Sequence, residues 1–307
     1  MQRRGALLLA MAILAGCRGP TGKSVYIEPS LETLIPADTI FVAGIDVDAI
    51  RSTPVFQKYL SQVRLPRMED FIQQTGLDPR KDLSLILSTS NGKTGFFMAG
   101  GQFDVPAVEL KLQKNGLTQI PYNGYNLFGD QRRAVLFIGS RTAVAGPTPD
   151  LKILIDERHK PTHGLPPALR QAVQTIPNNR QVWAAFVGGL RGLDLGVPED
   201  SNLGQIAHLL RGIDRGTIGI DLRNGVDFKG DLDCNTDNDA KHIHDAIRGV
   251  IGIGRLSTPD NRPELLRLYD TIKVEQIQKR VDVSAQVAPD LEDKFLDLWL
   301  KQGRARP

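Results

Sequence analysis

The sequence predicts an α+β fold built from two tandem repeated modules, each of mostly antiparallel sheet with packed helices. Three observations predict it. Two Ile-Pro pairs, Ile35-Pro36 and Ile176-Pro177, stand 176 − 35 = 141 residues apart, and each leads into an apolar run. Two Asn-Gly pairs, Asn91-Gly92 and Asn224-Gly225, each separate strand-like segments. After each hairpin the same order of helix, paired strands and final helix recurs.

Taken in order, residues 39–45 and 181–187 are the first apolar runs of the two halves, followed by helical stretches at 55–63 and 203–210. The hairpins pair 83–88 with 95–99 and 217–222 with 226–234. Asn-Gly favours a tight hairpin because both residues tolerate the positive φ of a type I′ turn. Helices are predicted at 106–114 and 240–251. Each half then closes with strands at 134–138 and 142–145, or 273–278 and 281–287, and a last helix at 149–157 or 289–300. Pro149 and Pro289 suit a first helical turn, where a missing N–H costs nothing. The modules therefore span residues 31–158 and 166–302.

The N-terminus reads as an address. Residues 1–5 carry Arg3 and Arg4 without an acid, and residues 6–15 are apolar and uncharged. These are the basic and hydrophobic regions of a signal peptide. Ten residues cannot cross a hydrocarbon core that needs roughly 20. Leu14-Ala15-Gly16-Cys17 follows directly and resembles the lipobox of bacterial lipoproteins. The resemblance implies removal of residues 1–16, lipidation of Cys17 and a lipidated tether over 17–30. It also implies a partner, the membrane, reached through the anchor at Cys17. Arg18 after the cysteine implies the outer membrane, facing the periplasm, of a diderm host. Two or more acyl chains anchor stably where one binds marginally. Beyond residue 30 the chain only loosely resembles secreted bacterial proteins of unknown function with repeated strand-helix modules.

Composition narrows the partners. The formal charge is +3, and loss of Arg3 and Arg4 leaves 3 − 2 = +1. Near-neutrality argues against a nucleic-acid partner. With Cys17 lipidated, Cys234 has no second cysteine, so no internal disulfide supports the fold. A chain of this size buries roughly three-quarters of its unfolded surface without one.

Several apparent motifs fail on their spacing. Gly19 to Ser24 suggests a phosphate loop, but the glycine required at position 17 is Cys17 and no strand precedes it, so no nucleotide site is expected. Asp231, Asp233, Asn235 and Asp237 hold alternate positions of a calcium loop, yet Thr236 replaces its glycine and His242 its glutamate. Asp231, Asp233 and His242 are thus the metal candidates, though no cofactor is expected. His242 and His244 sit about 200° apart on a helix and diverge. Val226, Phe228, Leu232 and Cys234 alternate with Asp227, Lys229, Asp231 and Asp233, the pattern of a strand with one buried face. Asn235 or Thr236 then caps the next helix. Residues 249–254 have the wrong glycine spacing for a dinucleotide and read as a helix end and turn. His159 and His163 read as a solvated linker. No Gly-x-Ser-x-Gly or His-Glu-x-x-His occurs.

The function expected is that of a membrane-anchored envelope lipoprotein acting as a non-catalytic scaffold, assembly or binding protein, with a possible envelope protein partner. A lipid or lipoprotein carrier is the alternative, and it requires an apolar cavity between sheet and helices. A metal-dependent hydrolase is the third class. Tyr122, Tyr125, Phe128 and Trp299 are candidate partner anchors, with core packing as the competing role.

Overall fold

The computed structural model describes residues 23–61, 66–158, 160, 163–189 and 212–304. The first half contributes β1 (Phe41–Asp46), β2 (Leu83–Ser90), β3 (Gly95–Gly101), β4 (Thr118–Tyr122), β5 (Tyr125–Gly129), β6 (Arg133–Ile138) and β7 (Thr142–Pro147). The second contributes β8 (Val182–Val187), β9 (Ile213–Asp221), β10 (Val226–Cys234), β11 (Ile272–Ile277) and β12 (Arg280–Val287). All twelve lie in one antiparallel sheet, ordered β11-β12-β10-β9-β8-β1-β2-β3-β7-β6-β5-β4.

The two modules share one topology and continue one sheet. Reading outward from the centre, β1-β2-β3-β7-β6 mirrors β8-β9-β10-β12-β11, with the β5-β4 hairpin added at the first module's edge. The seam is the antiparallel pair β1–β8, in which Ala43 faces Ala184. Since 184 − 43 = 141 is also the spacing of the Ile-Pro pairs, the register places equivalent residues opposite each other. Gly44 makes the seam possible: a Cβ there would meet the Trp183 ring at 2.4 Å.

Helices cover both faces. On one face α1 (Pro29–Glu32), α6 (Thr148–Glu157) and α7 (Pro167–Gln174) seal the largest core, in which Leu31, Leu87, Leu127, Leu136, Val144, Leu151 and Leu169 are fully buried. On the other, α2 (Val47–Arg51) and α5 (Val105–Lys114) cover the first module through Val47, Val108 and Leu112. There α8 (Asp237–Leu256) covers the second through Ala240 and Ile243. Helices α3 (Pro66–Thr75), α4 (Pro79–Asp82), α9 (Pro263–Thr271) and α10 (Pro289–Arg304) complete the described residues, with one π-helical turn at Phe56–Leu60. That turn meets α10, where Lys58 Nζ donates to Asp293 Oδ2 at 2.8 Å and Tyr59 Oη to Oδ1 at 3.1 Å.

Four expectations change. The tether is shorter than 17–30: Val25 and Ile27 are buried in the main core, and Val25 N–H donates to Ile176 O at 3.0 Å. Their alternation with Ser24, Tyr26 and Glu28 is that of an extended segment with one apolar side. The Asn-Gly hairpins are not two-residue turns, because only Gly92 and Gly225 adopt positive φ there. The tight turn is Asn123 (φ 45°) and Gly124 (φ 81°), joining Tyr122 to Tyr125 in the β4–β5 hairpin that the reading omitted. Residues 249–254 continue α8 rather than end it, and Gly254 lets Tyr269 of α9 pack close, since a Cβ would lie 2.5 Å from its hydroxyl. The stretch 55–63 is helical only in part, as the π-helical turn. Cys17 and the predicted helix at 203–210 lie outside the described residues.

Candidate functional site

The second module leaves part of its apolar face unsealed. Strand alternation directs Phe228 and Leu232 of β10 and Val283 and Ala285 of β12 towards α8, and Ile272 joins them from β11. From α8, Ile243, Ala246, Ile247, Val250 and Ile251 line the opposite wall. Between them is a cleft of about 510 Å³ with an apolar lining. Gly249 and Gly252 lie on the side of the helix away from the cleft, where a Cβ on either would meet nothing within 4 Å. Val250 is 54% exposed and Leu256 90%, so the helix end presents further apolar surface to solvent.

Deeper along the same face the strand behaves as its pattern requires. Cys234 is 5% exposed among Phe186, Ile213 and Val281. Burial, with the charges of Asp239 and Asp233 in support, pushes its thiol up to about 11. A thiol so protonated is a small hydrophobe and a poor nucleophile. Thr236 caps α8, its hydroxyl accepting from Asp239 N–H at 3.0 Å.

The metal candidates do not converge. Asp231 and Asp233 point to the face opposite α8, because they alternate with Leu232 and Cys234. There Arg215 Nε donates to Asp233 Oδ2 at 2.7 Å, and Arg280 bridges Asp231 and Asp282 at 2.5 Å each. His242 lies on the exposed side of α8, across the sheet from both aspartates. Among the described residues no three His, Cys, Asp or Glu side chains could hold a metal ion. Of the acids that resembled a calcium loop, Asp231 and Asp233 are members of surface ion pairs, each worth ~0–1 kcal/mol, and Asp237 stands in the first turn of α8.

The other candidates divide. Phe128 is 1% exposed in the core, which removes it as an anchor. Tyr122 donates to Asp156 at 2.6 Å and Tyr125 lies under Arg158, 4.8 Å from ring centroid to guanidinium. The side chain of Trp299 and all of His159 lie outside the described residues. His163 is not a solvated linker residue, since its side chain is 6% exposed. A Ser-x-x-Lys spacing, Ser90 to Lys93, escaped the reading. It falls in the β2–β3 loop, where Ser90 Oγ donates to Thr94 O at 3.0 Å and accepts from Gly92 N–H at 3.0 Å.

No protein-family model matches the chain, and no curated protein is similar to it. Among solved structures the chain is similar to crystal forms of a protein named TP0453. Form III is 10% identical with a TM-score of 0.49, over 90% of this chain and 99% of that one. Form I is 8% identical with a TM-score of 0.47, over 91% and 98%. These values carry nothing about function. What fold and cleft define is a class: an α+β protein of two fused modules in one antiparallel sheet, with an apolar cleft in the second. No helix among the described residues is long and apolar enough to cross a membrane.

Proposed function

We propose that this is a lipid-anchored, non-catalytic envelope protein that receives the acyl chain of a lipid or lipoprotein in the cleft of the second module. The observation that carries this reading is the apolar lining of that cleft over about 510 Å³. Each methylene moved there from water contributes ~0.8 kcal/mol, so a partly inserted chain gains several kcal/mol.

The position of the cleft supports the reading. Asn178 N–H donates to Lys23 O at 2.8 Å, and Arg180 Nη1 to Asp227 O at 2.7 Å, beside Phe228 of the cleft. The chain therefore enters the fold at the end of the sheet that bears the cleft. Cys17 lies seven residues before Ser24. Such a segment spans at most ~25 Å at ~3.5 Å per residue, so a lipidated Cys17 would hold the cleft close to the bilayer.

Titration of the purified protein with a fluorescent fatty acid tests the reading. The native protein is expected to bind one equivalent, and Ala246→Phe, which fills the cleft, to weaken binding at least ~10-fold, about 1.4 kcal/mol. Absence of saturable binding, or equal binding by the filled variant, would sink it.

A further inference from the structure

The two ends of the sheet are built differently. At one end β4 carries Pro121, and the tight turn at Asn123-Gly124 makes Tyr122 and Tyr125 the closing hydrogen-bonded pair, so the missing N–H of Pro121 belongs to the outer side of the strand. A proline so placed blunts an edge against further pairing. At the other end β11, Ile272 to Ile277, has neither a proline nor a bulge.

The free hydrogen-bonding groups of β11 follow from those of its neighbours. Cys234 N–H donates to Lys279 O at 2.7 Å, and alternation from that pair directs Val281, Val283 and Ala285 to β10 and Arg280, Asp282 and Ser284 to β11. Ile277, Glu275 and Lys273 stand opposite those three, so Ile272, Val274 and Gln276 turn their N–H and C=O groups outward. In the first module the strand in the place of β11 is β6, and its outer edge is taken by antiparallel β5, whose Phe128 packs with Val108 and Leu112 of α5. No strand among the described residues takes that place beside β11.

Charge selects the occupant. Lys273 and Glu275 are exposed on the face away from α8, and neither has an ion-pair partner among the described residues. Glu275 instead stands opposite Asp282, which already accepts from Arg280. An antiparallel copy of β11 centred on Val274 would set Lys273 of each chain opposite Glu275 of the other, and Ile272 opposite Gln276. Centring on Lys273 or on Glu275 would set like charges against each other on the axis, which disfavours both of those registers.

We propose that the partner of this edge is a second copy of the chain, paired β11 to β11 across a twofold axis through Val274. The outward groups of Ile272, Val274 and Gln276 then bond to the same three residues of the other chain, as a self-complementary contact requires. The axis is normal to the sheet, so both α8 clefts open on one face of the pair. The pairing does not rest on the acyl-chain reading, since Lys273, Val274 and Glu275 do not line the cleft.

Sedimentation equilibrium of the full chain in a density-matched zwitterionic detergent tests it. The native chain is expected to dimerise reversibly. Lys273→Glu and Glu275→Lys each bring like charges together on both sides of the axis, and each should weaken the dimer ~10-fold or more. Combining Lys273→Glu with Glu275→Lys restores opposite charges at both positions and should return the dissociation constant to within ~3-fold of native. A monomer at every accessible concentration would leave the edge to a strand of another protein and overturn the proposal. So would a dimer that the single variants do not weaken, or that the double variant does not restore.

Discussion

The two modules carry the same strand order and close their cores differently. In the first, Leu127, Leu136 and Val144 are fully buried beneath α6. In the second, β12 and β11, the counterparts of β7 and β6, show that side a mostly charged surface, the Arg280 bridge between Asp231 and Asp282, with Ile277 left 59% exposed. On the α8 side the second module does not close over its apolar residues, and Phe228, Leu232 and Val283 stay partly exposed beside Ile247, Val250 and Ile251 of the helix. One topology thus yields a sealed core in one copy and an open cleft in the other. The same strand order therefore does not by itself decide whether the helix layer closes over the sheet.

The sharpest test of that contrast is a pair of truncations. Leu136→Ala in the sealed core should cost ~3 kcal/mol, within the usual 2–5 for fully buried leucines, whereas Val283→Ala at the cleft should cost ~1 kcal/mol or less. Urea unfolding of both variants measures this, and equal losses would mean that the second module is as tightly packed as the first.

A smaller effect concerns the hairpin end of the second module. Asp221 accepts from Arg223 at 2.7 Å and from Asn179 at 2.9 Å, and the guanidinium holds its carboxyl at about 2 against an ordinary 3.8. Its folded-state value is depressed, so the stabilisation is complete above pH 3.8 and is lost as pH falls through 2. Asp221→Asn should therefore cost up to ~2 kcal/mol at pH 7, with the difference from the native protein closing towards pH 2. A pH-independent difference in melting temperature would assign the effect to packing instead.

The smallest expected effect is of opposite sign. Glu292, 6% exposed near the contact between α10 and the π-helical turn, has its carboxyl raised by burial and by the neighbouring Asp293. Its native state holds the proton more tightly than the unfolded chain does, so this group costs stability as pH rises through the ordinary glutamate range near 4.5. Glu292→Gln should raise the melting temperature by a few degrees at pH 7 and leave it unchanged below pH 4. A lower melting temperature at pH 7 would show that the ionised carboxylate stabilises this contact.

Much of the fold was legible where a local rule had no competitor. The alternation of Val226 to Cys234 read as a strand with one wet face, and its bounds match β10. The helices opening at Pro149 and Pro289 start within one residue of the expected positions. The misses arose where two local signals disagreed. Three glycines in residues 249–254 read as a stop, yet packing of Gly254 against Tyr269 keeps the helix going. Asn123-Gly124 is the same dipeptide that marked the other two hairpins, and the β4–β5 hairpin it joins was not among the expected elements. The cleft was not legible at all. An apolar stripe looks the same in sequence whether or not its partner fills it, and the burial of His163 depends on Glu157 and a hairpin some seventy residues away.

The seam at Ala43 and Ala184 has a practical consequence for anyone dividing the protein. A module cut out of the chain would bare β1 or β8 along its whole length, with backbone donors and acceptors already spaced for a strand of the same kind. Two copies of one half could pair through that edge much as the two halves do now, except that Gly44 has no counterpart in β8, where Ala185 stands 141 residues on. A pair of second halves would have to fit Trp183 against that methyl, whereas a pair of first halves would set Val42 opposite Gly44 and fit more easily. Fusion into one polypeptide joins each edge to its better match and leaves neither free for a stranger.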